Sequence, residues 1–306
     1  MSWIPGTDKN EDLQHPDQID MVIIPRTADI GNFEVHRALP FKRKRMVGPF
    51  IFWDQMGPGE FLTNQGVDVR PHPHIGLSTV TYLFDGSLDH KDSLGTSARI
   101  YPGEINLMSA GKGIVHSERT GLDIRQQPSR LFGIQSWLAQ PKSLEESNAR
   151  FANYKENDLP IQEYAGAHIK MVMGNMHGLV SPVKTDWDTL YAEVKVQKET
   201  TFEIPAETEE RAIYALKGLI EIGGVEYPPQ QMLVLTPGEQ VIIKALDQDV
   251  HLMILGGATM DGPRYIWWNF VASDKEKIEH AKTEWLERKF PSVPGDETEF
   301  IPLPDN

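Results

Sequence analysis

Two pairs of potential metal ligands stand at alternate positions in the first half of the sequence. His72 and His74 are separated by one residue, and His116 and Glu118 have the same spacing further along the chain. In a β-strand, residues two positions apart point to the same face. Two neighbouring strands would therefore direct three imidazoles and one carboxylate toward a common point. Such a set can bind a divalent transition metal and leave positions open for water, dioxygen or a substrate.

The His72–His74 pair also has an ordinary interpretation. A strand histidine is often a half-exposed residue that is hydrogen-bonded to a neighbour, and a single H-x-H match arises readily by chance. Pro71 and Pro73 lack amide hydrogens, which places this segment at a sheet edge or at the irregular start of a strand. Gly76 removes bulk next to the pair. This context favours side chains that line a cavity mouth, where a metal could bind.

The elements that would carry these residues are short β-strands. Apolar segments broken by Gly, Pro, Asn and Asp occupy the region from about 20 to 137, and a second β-rich block runs from about 165 to 256. This pattern indicates an antiparallel sandwich or barrel rather than a βαβ fold. A polar stretch over 140–160 separates the blocks, and a capping-box pattern at 143–146 predicts a short helix there.

The two blocks resemble each other as a degenerate repeat. Tyr82 matches Tyr214, and Gly86 matches Gly218, so we expect duplicated units. When the spacing of the first block is transferred to the second, the positions of His72, His116 and Glu118 fall on Ile204, Ile243 and Ala245. Apolar side chains at those positions predict that the second unit binds no metal there.

One helix is predicted at the end of the chain. Ser273 is expected to cap it, and Glu276 three residues later completes a capping box. Apolar positions recur with helical spacing over 278–285 and can dock on a sheet, and Pro291 is expected to end the helix.

The composition excludes several classes of site and partner. The 306-residue chain contains no cysteine, which leaves nitrogen and oxygen donors for any metal. The net charge of −14 argues against direct binding to nucleic acid. Apolar runs are too short for a membrane span, and the first residues lack the features of a secretion signal. We therefore expect a cytoplasmic protein that binds neither nucleic acid nor membrane directly.

The histidine pattern resembles the metal-binding motifs of the cupin superfamily and, more closely, of the pirin family. The first cupin motif has the form G-x5-H-x-H-x3,4-E-x6-G, and Thr79 stands here at its glutamate position. The histidine of the second motif arrives two residues late as His116, with Glu118 directly beyond it. The loss of one carboxylate is thus compensated by the gain of another. Further segments that resemble pirin motifs are 54–58, 71–76, 90–93, 101–103, 109–118 and 262–271.

This resemblance implies an all-β chain of two tandem cupin-type antiparallel β-barrels, jelly-roll-like, with a C-terminal α-helix. The implied units are an N-terminal metal-binding barrel over 1–142, a linker over 143–164, a C-terminal barrel without metal ligands over 165–272, and a helix and tail over 273–306. In the family, His72, His74, His116 and Glu118 would bind a mononuclear divalent metal, most often iron. Manganese, nickel, copper and zinc suit the same donors and are not distinguished by the sequence.

The family suggests two functions. The first is a dioxygenase that acts on flavonols such as quercetin, in which Glu118 would be the catalytic proton acceptor and dioxygen the second substrate. The second is a metal-dependent, redox-sensitive regulator that binds a protein partner, like a transcription cofactor, and would be nuclear in a eukaryote. A metal that only supports the fold is a third interpretation. His90 lies within the resemblance, and either orients a ligand or occupies the outer surface.

Overall fold

The computed structural model describes residues 15–30 and 33–305, so the N-terminal residues used above to judge secretion lie outside the described part of the chain. The prediction of an all-β chain with two tandem jelly-roll-like units and a C-terminal helix is confirmed. Within each unit, two sheets face each other without closing into a barrel. No helix in the described residues is long and apolar enough to cross a membrane.

The strands of the first half of the chain alternate with short turns. They are β1 (Ile19–Ile23), β2 (Arg26–Asp29), β3 (Glu34–Leu39), β4 (Phe50–Phe61), β5 (Asp68–His74), β6 (Leu77–Asp85), β7 (Leu88–Asp92), β8 (Ser97–Ile100), β9 (Ile105–Ser109), β10 (Ile114–Arg119), β11 (Ser129–Ala139) and β12 (Arg150–Tyr154).

The second half continues the same pattern and ends in helix α1 (Lys275–Leu286). Its strands are β13 (Ile161–Tyr164), β14 (Ala167–Met173), β15 (Asn175–Met176), β16 (Leu179–Val180), β17 (Thr189–Val196), β18 (Thr201–Ile204), β19 (Glu210–Lys217), β20 (Ile220–Ile222), β21 (Val225–Tyr227), β22 (Met232–Leu235), β23 (Val241–Ala245), β24 (Val250–Gly257), β25 (Tyr265–Trp267) and β26 (Phe270–Ala272). Short 3₁₀ turns lie at Ile124–Gln126 and Glu156–Asp158.

Each unit consists of a seven-stranded and a four-stranded antiparallel sheet. The first unit has the orders β12-β9-β6-β11-β4-β3-β2 and β5-β10-β7-β8, and the second has β1-β22-β19-β24-β17-β14-β13 and β18-β23-β20-β21. The orders correspond strand for strand, so the predicted repeat is visible in the topology. One pairing is not visible in the sequence pattern. Strand β1, at the start of the chain, pairs with β22 and therefore belongs to the large sheet of the second unit.

The two large sheets pack against each other and form a shared apolar core. Trp53 of the first unit contacts Tyr191 and Tyr214 of the second, with ring centroids 5.8 and 5.5 Å apart. Two hydrogen bonds cross the same interface: the Tyr82 hydroxyl donates to the Glu193 carboxylate (2.6 Å), and the Tyr214 hydroxyl to the Gln55 side-chain oxygen (3.0 Å). Burial of this apolar surface, together with these two hydrogen bonds, holds the units together.

The strand register of the second unit corrects one predicted equivalence. In the first unit His72 faces His116 and His74 faces Ile114, whereas in the second Phe202 faces Ile243 and Ile204 faces Val241. Ile204 and Ile243 therefore do not face each other as His72 and His116 do, so the predicted equivalents of these two histidines are not both correct. These second-unit side chains are all buried in one apolar core.

Three local predictions are wrong, two of them at the end of the chain. The helix is capped by Asp274, whose carboxylate accepts from the Glu276 amide (2.9 Å), because Ser273 is engaged by Glu145 instead. The helix ends at Leu286, before Pro291 is reached. The segment predicted as a short helix at 143–146 forms turns.

Candidate metal centre

Strand pairing brings the three predicted histidines together. β5 is an edge strand of the four-stranded sheet and pairs with β10, so that His116 lies opposite His72. The imidazole centroids are 4.4 Å apart for His72 and His116, and 4.9 Å apart for each of the other two pairs. One ring nitrogen from each residue belongs to a group of atoms that lie within 4.8 Å of one another. The strand periodicity therefore produces the predicted convergence.

Backbone carbonyls determine the tautomer of two of the histidines. His72 Nδ1 lies 2.9 Å from the Arg70 carbonyl oxygen, and His74 Nδ1 lies 3.1 Å from the Asn269 carbonyl oxygen. A carbonyl oxygen can only accept, so Nδ1 must carry the proton in each ring. The Nε2 lone pairs of His72 and His74 are then available to a ligand.

His116 is oriented by another histidine. Its Nδ1 lies 3.5 Å from His90 Nδ1, and His90 Nε2 lies 3.1 Å from the Asp92 carboxylate. The carboxylate accepts from His90 Nε2, which leaves His90 Nδ1 as an acceptor for the His116 proton. His90 is buried, so of the two interpretations left open by the sequence, the structure supports a residue that orients a ligand.

The electrostatics of the site favour neutral imidazoles. Burial lowers the pKa of His72 to about 4, and burial followed by the neighbouring histidines lowers the pKa values of His74 and His116 well below 6.5. His74 Nε2 and His116 Nε2 lie 3.0 Å apart, and each presents a lone pair in the tautomers above. Two lone pairs at this distance repel each other unless a cation lies between them. The donor set therefore fits a divalent transition metal.

Glu118 lies beside this group but outside it. A bulge between His116 and Glu118 shifts the register, so Glu118 faces Val69 on β5. Its carboxylate is buried and accepts from the Gln135 amide (3.2 Å) on the opposite sheet, and burial raises its pKa. Gln135 is held in turn by the Thr81 hydroxyl, which donates to its side-chain oxygen (2.8 Å). The site thus contains a carboxyl group with increased proton affinity next to three nitrogen donors.

An aromatic wall adjoins the histidines, and the sequence motifs did not predict it. Trp137 stands edge-on to His74 with centroids 5.3 Å apart, and Phe52 stacks on Trp137 at 4.0 Å. The Arg37 guanidinium lies 4.4 Å from the Phe52 ring centre and is paired with Asp54 at 2.7 Å. Strand alternation could have placed these side chains on an inner face, but only the folded sheets place them beside the three histidines.

The buried histidines predict a pH-dependent stability of the metal-free protein. Their pKa values are lower in the folded state than the 6.5 of the unfolded chain, so the unfolded state binds more protons. We expect the free energy of unfolding to fall as the pH decreases from about 6.5 toward 4, by up to about 1.4 kcal/mol per pH unit for each histidine. Glu118 has the opposite effect, because burial raises its pKa above that of the unfolded chain. Its contribution to the free energy of unfolding is present when it is protonated and is lost as the pH rises, which partly offsets the trend from the histidines.

Urea unfolding of chelator-treated protein between pH 8 and pH 5 measures this dependence. Replacement of His72 by asparagine should reduce the slope, because that group no longer takes up a proton on unfolding. An unfolding free energy that is flat from pH 7 to pH 5 in the unmodified protein would contradict neutral, buried histidines.

Comparison with known proteins places both halves of the chain in one family. Residues 32–138 match the family model for pirin, and residues 191–291 match the model for the pirin C-terminal cupin domain. A pirin-like protein from Caulobacter vibrioides is 44% identical over 94% of this chain and 100% of its own length.

Solved structures show the same architecture. A crystal structure of quercetin 2,3-dioxygenase from Acinetobacter baumannii is 31% identical, with a TM-score of 0.86 over 94% of this chain and 95% of that one. The bacterial pirin YhhW from Escherichia coli, crystallised with nickel(II), is 20% identical, with a TM-score of 0.62 over 78% of this chain and 99% of its own, and so is similar in fold.

Proposed function

The chain belongs to the pirin family, and from this premise we propose that it is a mononuclear metal-dependent dioxygenase that opens flavonols such as quercetin. The observation that carries the proposal is the convergence of three neutral, buried imidazoles whose Nε2 lone pairs face one another. Similarity to a quercetin 2,3-dioxygenase over nearly the whole of both chains supports the substrate class.

We propose that His72, His74 and His116 bind the metal and that Glu118 completes the set. Iron is the metal we propose, and the nickel(II) complex of a protein of the same fold supports a divalent ion as the bound metal. When bound, the metal supplies polarisation of a substrate oxygen and brings the flavonol and dioxygen together. The apolar side chains at the equivalent positions of the second unit support chemistry in the first unit alone.

The residues around the metal ligands have distinct roles in this proposal. Glu118 accepts the proton of the flavonol hydroxyl, because its buried carboxylate lies on the same strand as His116 and next to the three histidines. Gln135 holds the Glu118 carboxylate in place through its amide. Trp137 and Phe52 provide a flat apolar wall against which the fused rings of a flavonol can pack.

Elemental analysis of the purified protein, followed by an oxygen-uptake assay with a flavonol panel, tests the proposal. We expect a transition metal close to one per chain, and loss of quercetin absorbance coupled to oxygen uptake in protein reloaded with iron. Reloading with manganese, nickel, copper or zinc identifies the active metal. A flavone without the 3-hydroxyl group is the control substrate and should not be consumed.

Metal-loaded protein that consumes neither flavonol nor oxygen would contradict the dioxygenase. Recovery of a specific protein partner by the metal-loaded form, under conditions where no flavonol is consumed, would instead favour the regulatory function.

A further inference from the structure

We propose that Glu145 and the β25–β26 hairpin are positioning residues for the metal centre, through the carbonyl oxygen of Asn269 that holds His74. The hairpin belongs to the C-terminal end of the chain, yet it completes a site built by the first unit. The inference rests on metal binding by the three histidines, as proposed above, and not on the identity of the substrate or the reaction.

The hairpin lies against the end of the strand that carries His74. Ile75 and Phe270 form an isolated parallel bridge, and the Val271 amide donates to the Ile75 carbonyl (3.2 Å). Gly76 makes this approach feasible, since a Cβ atom there would lie 2.1 Å from the Val271 carbonyl oxygen. The β5 edge is therefore covered by the hairpin directly after the second histidine.

The turn of the hairpin directs the Asn269 carbonyl. Trp268 has a φ of +53°, a left-handed conformation that a bulky side chain rarely adopts. Its ring packs against Phe270 and Trp285, with centroids 5.6 and 6.4 Å away. This packing fixes the turn, and the next residue, Asn269, presents its carbonyl oxygen 3.1 Å from His74 Nδ1.

One buried carboxylate fixes both ends of the hairpin. Glu145 is 2% exposed and accepts from the Ser273 amide (2.7 Å) and the Ser273 hydroxyl (2.8 Å) just after β26. The same carboxylate pairs with Arg264 just before β25, at 3.2 Å, and with Lys277 in the first turn of α1, at 2.9 Å. The Arg264 side chain is fully buried, and its charge is paired with Glu145 and with Asp261.

The position of the hairpin determines the tautomer of His74, because the hairpin provides the carbonyl oxygen that accepts from Nδ1. If the hairpin shifts, Nδ1 loses its acceptor, and the ring is free to rotate or to carry its proton on Nε2, where it cannot bind a metal. Groups that orient metal-binding histidines typically contribute a factor of about 10 to 100 in affinity. Glu145 contacts none of the three histidines, and its bonds to Ser273 and Arg264 join it to both ends of the hairpin, so we expect its effect on His74 to pass through the hairpin.

The test compares Glu145→Ala with Glu146→Ala, which removes the same charge from the neighbouring residue. Glu146 is exposed and pairs with Lys277 only at the surface. The probe is zinc(II), which is diamagnetic. We expect Glu145→Ala to weaken zinc binding about 10- to 100-fold, and Glu146→Ala to leave it within about twofold. Glu145→Gln, which keeps an acceptor for Ser273, should recover part of the affinity.

Nitrogen-15 spectra of the histidine side chains provide the readout that a purely structural role would not change. In the unmodified protein we expect a protonated Nδ1 for His74, and in Glu145→Ala a loss or exchange broadening of that signal. If Glu145→Ala does not fold, Ser273→Ala carries the test, because it removes one hydrogen bond and leaves the Arg264 pair intact. A folded variant with unchanged zinc affinity and an unchanged His74 tautomer would overturn the inference. Failure of the unmodified protein to bind any metal would instead overturn the proposed function.

Discussion

Replacement of His74 by alanine is expected to abolish both metal binding and flavonol turnover. His74 provides one of three nitrogen donors, and its Nε2 lies 3.0 Å from that of His116, at the centre of the group. Its loss leaves two imidazoles and Glu118, whose carboxylate lies outside the histidine group, so we expect the remaining donors not to retain a divalent ion. Elemental analysis and oxygen uptake, measured on the same preparation, test both parts of the prediction.

The exposed His280 offers a matched control, since His280→Ala removes an imidazole without touching the site. Its metal content and turnover should equal those of the unmodified protein. Normal turnover by a metal-free His74→Ala protein would end the dioxygenase proposal, and a full metal content in that variant would show that the three histidines are not the binding site. Circular dichroism confirms that the variant has folded before either result is interpreted.

The convergence of the three histidines could be predicted in part from the sequence, because strand periodicity is a local property. Two residues with i, i+2 spacing share a face in any strand, so His72 and His74 point together however the rest of the chain is arranged. The pairing of β5 with β10 is the one long-range step, and the resemblance to a known motif supplied it.

The groups that orient these ligands could not be predicted in the same way. Asn269 is 195 positions from His74 in the sequence and contacts it through its backbone carbonyl. Because any residue has such a carbonyl, the identity of the side chain does not reveal the contact. Gln135 reaches Glu118 from the opposite sheet. Such contacts depend on how complete sheets and hairpins pack, and no local spacing encodes that packing. His90 could be named as a candidate, but only its burial against His116 decides between the two interpretations.

The wrong prediction of the helix cap also results from a long-range contact that local spacing does not encode. Ser273 and Asp274 are both good helix caps, and local preference does not separate them. The choice is made by Glu145, a distant residue that uses the Ser273 amide and hydroxyl and leaves the cap to Asp274. Likewise, the pairing of β1 with β22 of the second unit is a matter of topology, which local residue spacing does not encode.

The Glu118→Gln variant is expected to lower kcat about 10²- to 10⁴-fold while it retains the fold. Glutamine has nearly the same shape and can still accept from the Gln135 amide, which donates to this position at 3.2 Å. It cannot accept the proton of a flavonol hydroxyl. In the unmodified protein, kcat should decline on the acid side as the Glu118 carboxylate becomes protonated, at a pH set by burial, which raises its pKa, and by the bound cation, which lowers it. The variant should lack this acidic limb.

Metal affinity, measured on the same variant, separates two roles that the geometry leaves to Glu118. The carboxylate lies outside the group formed by the three histidines, so a base that swings toward the substrate predicts a lower kcat with metal affinity nearly unchanged. A permanent fourth ligand predicts that affinity falls together with kcat. Glu226→Gln, an exposed substitution in the second unit, is the control for a lost negative charge. An unchanged kcat in Glu118→Gln would contradict both roles, and proton transfer would then have to be assigned to another group beside the histidines.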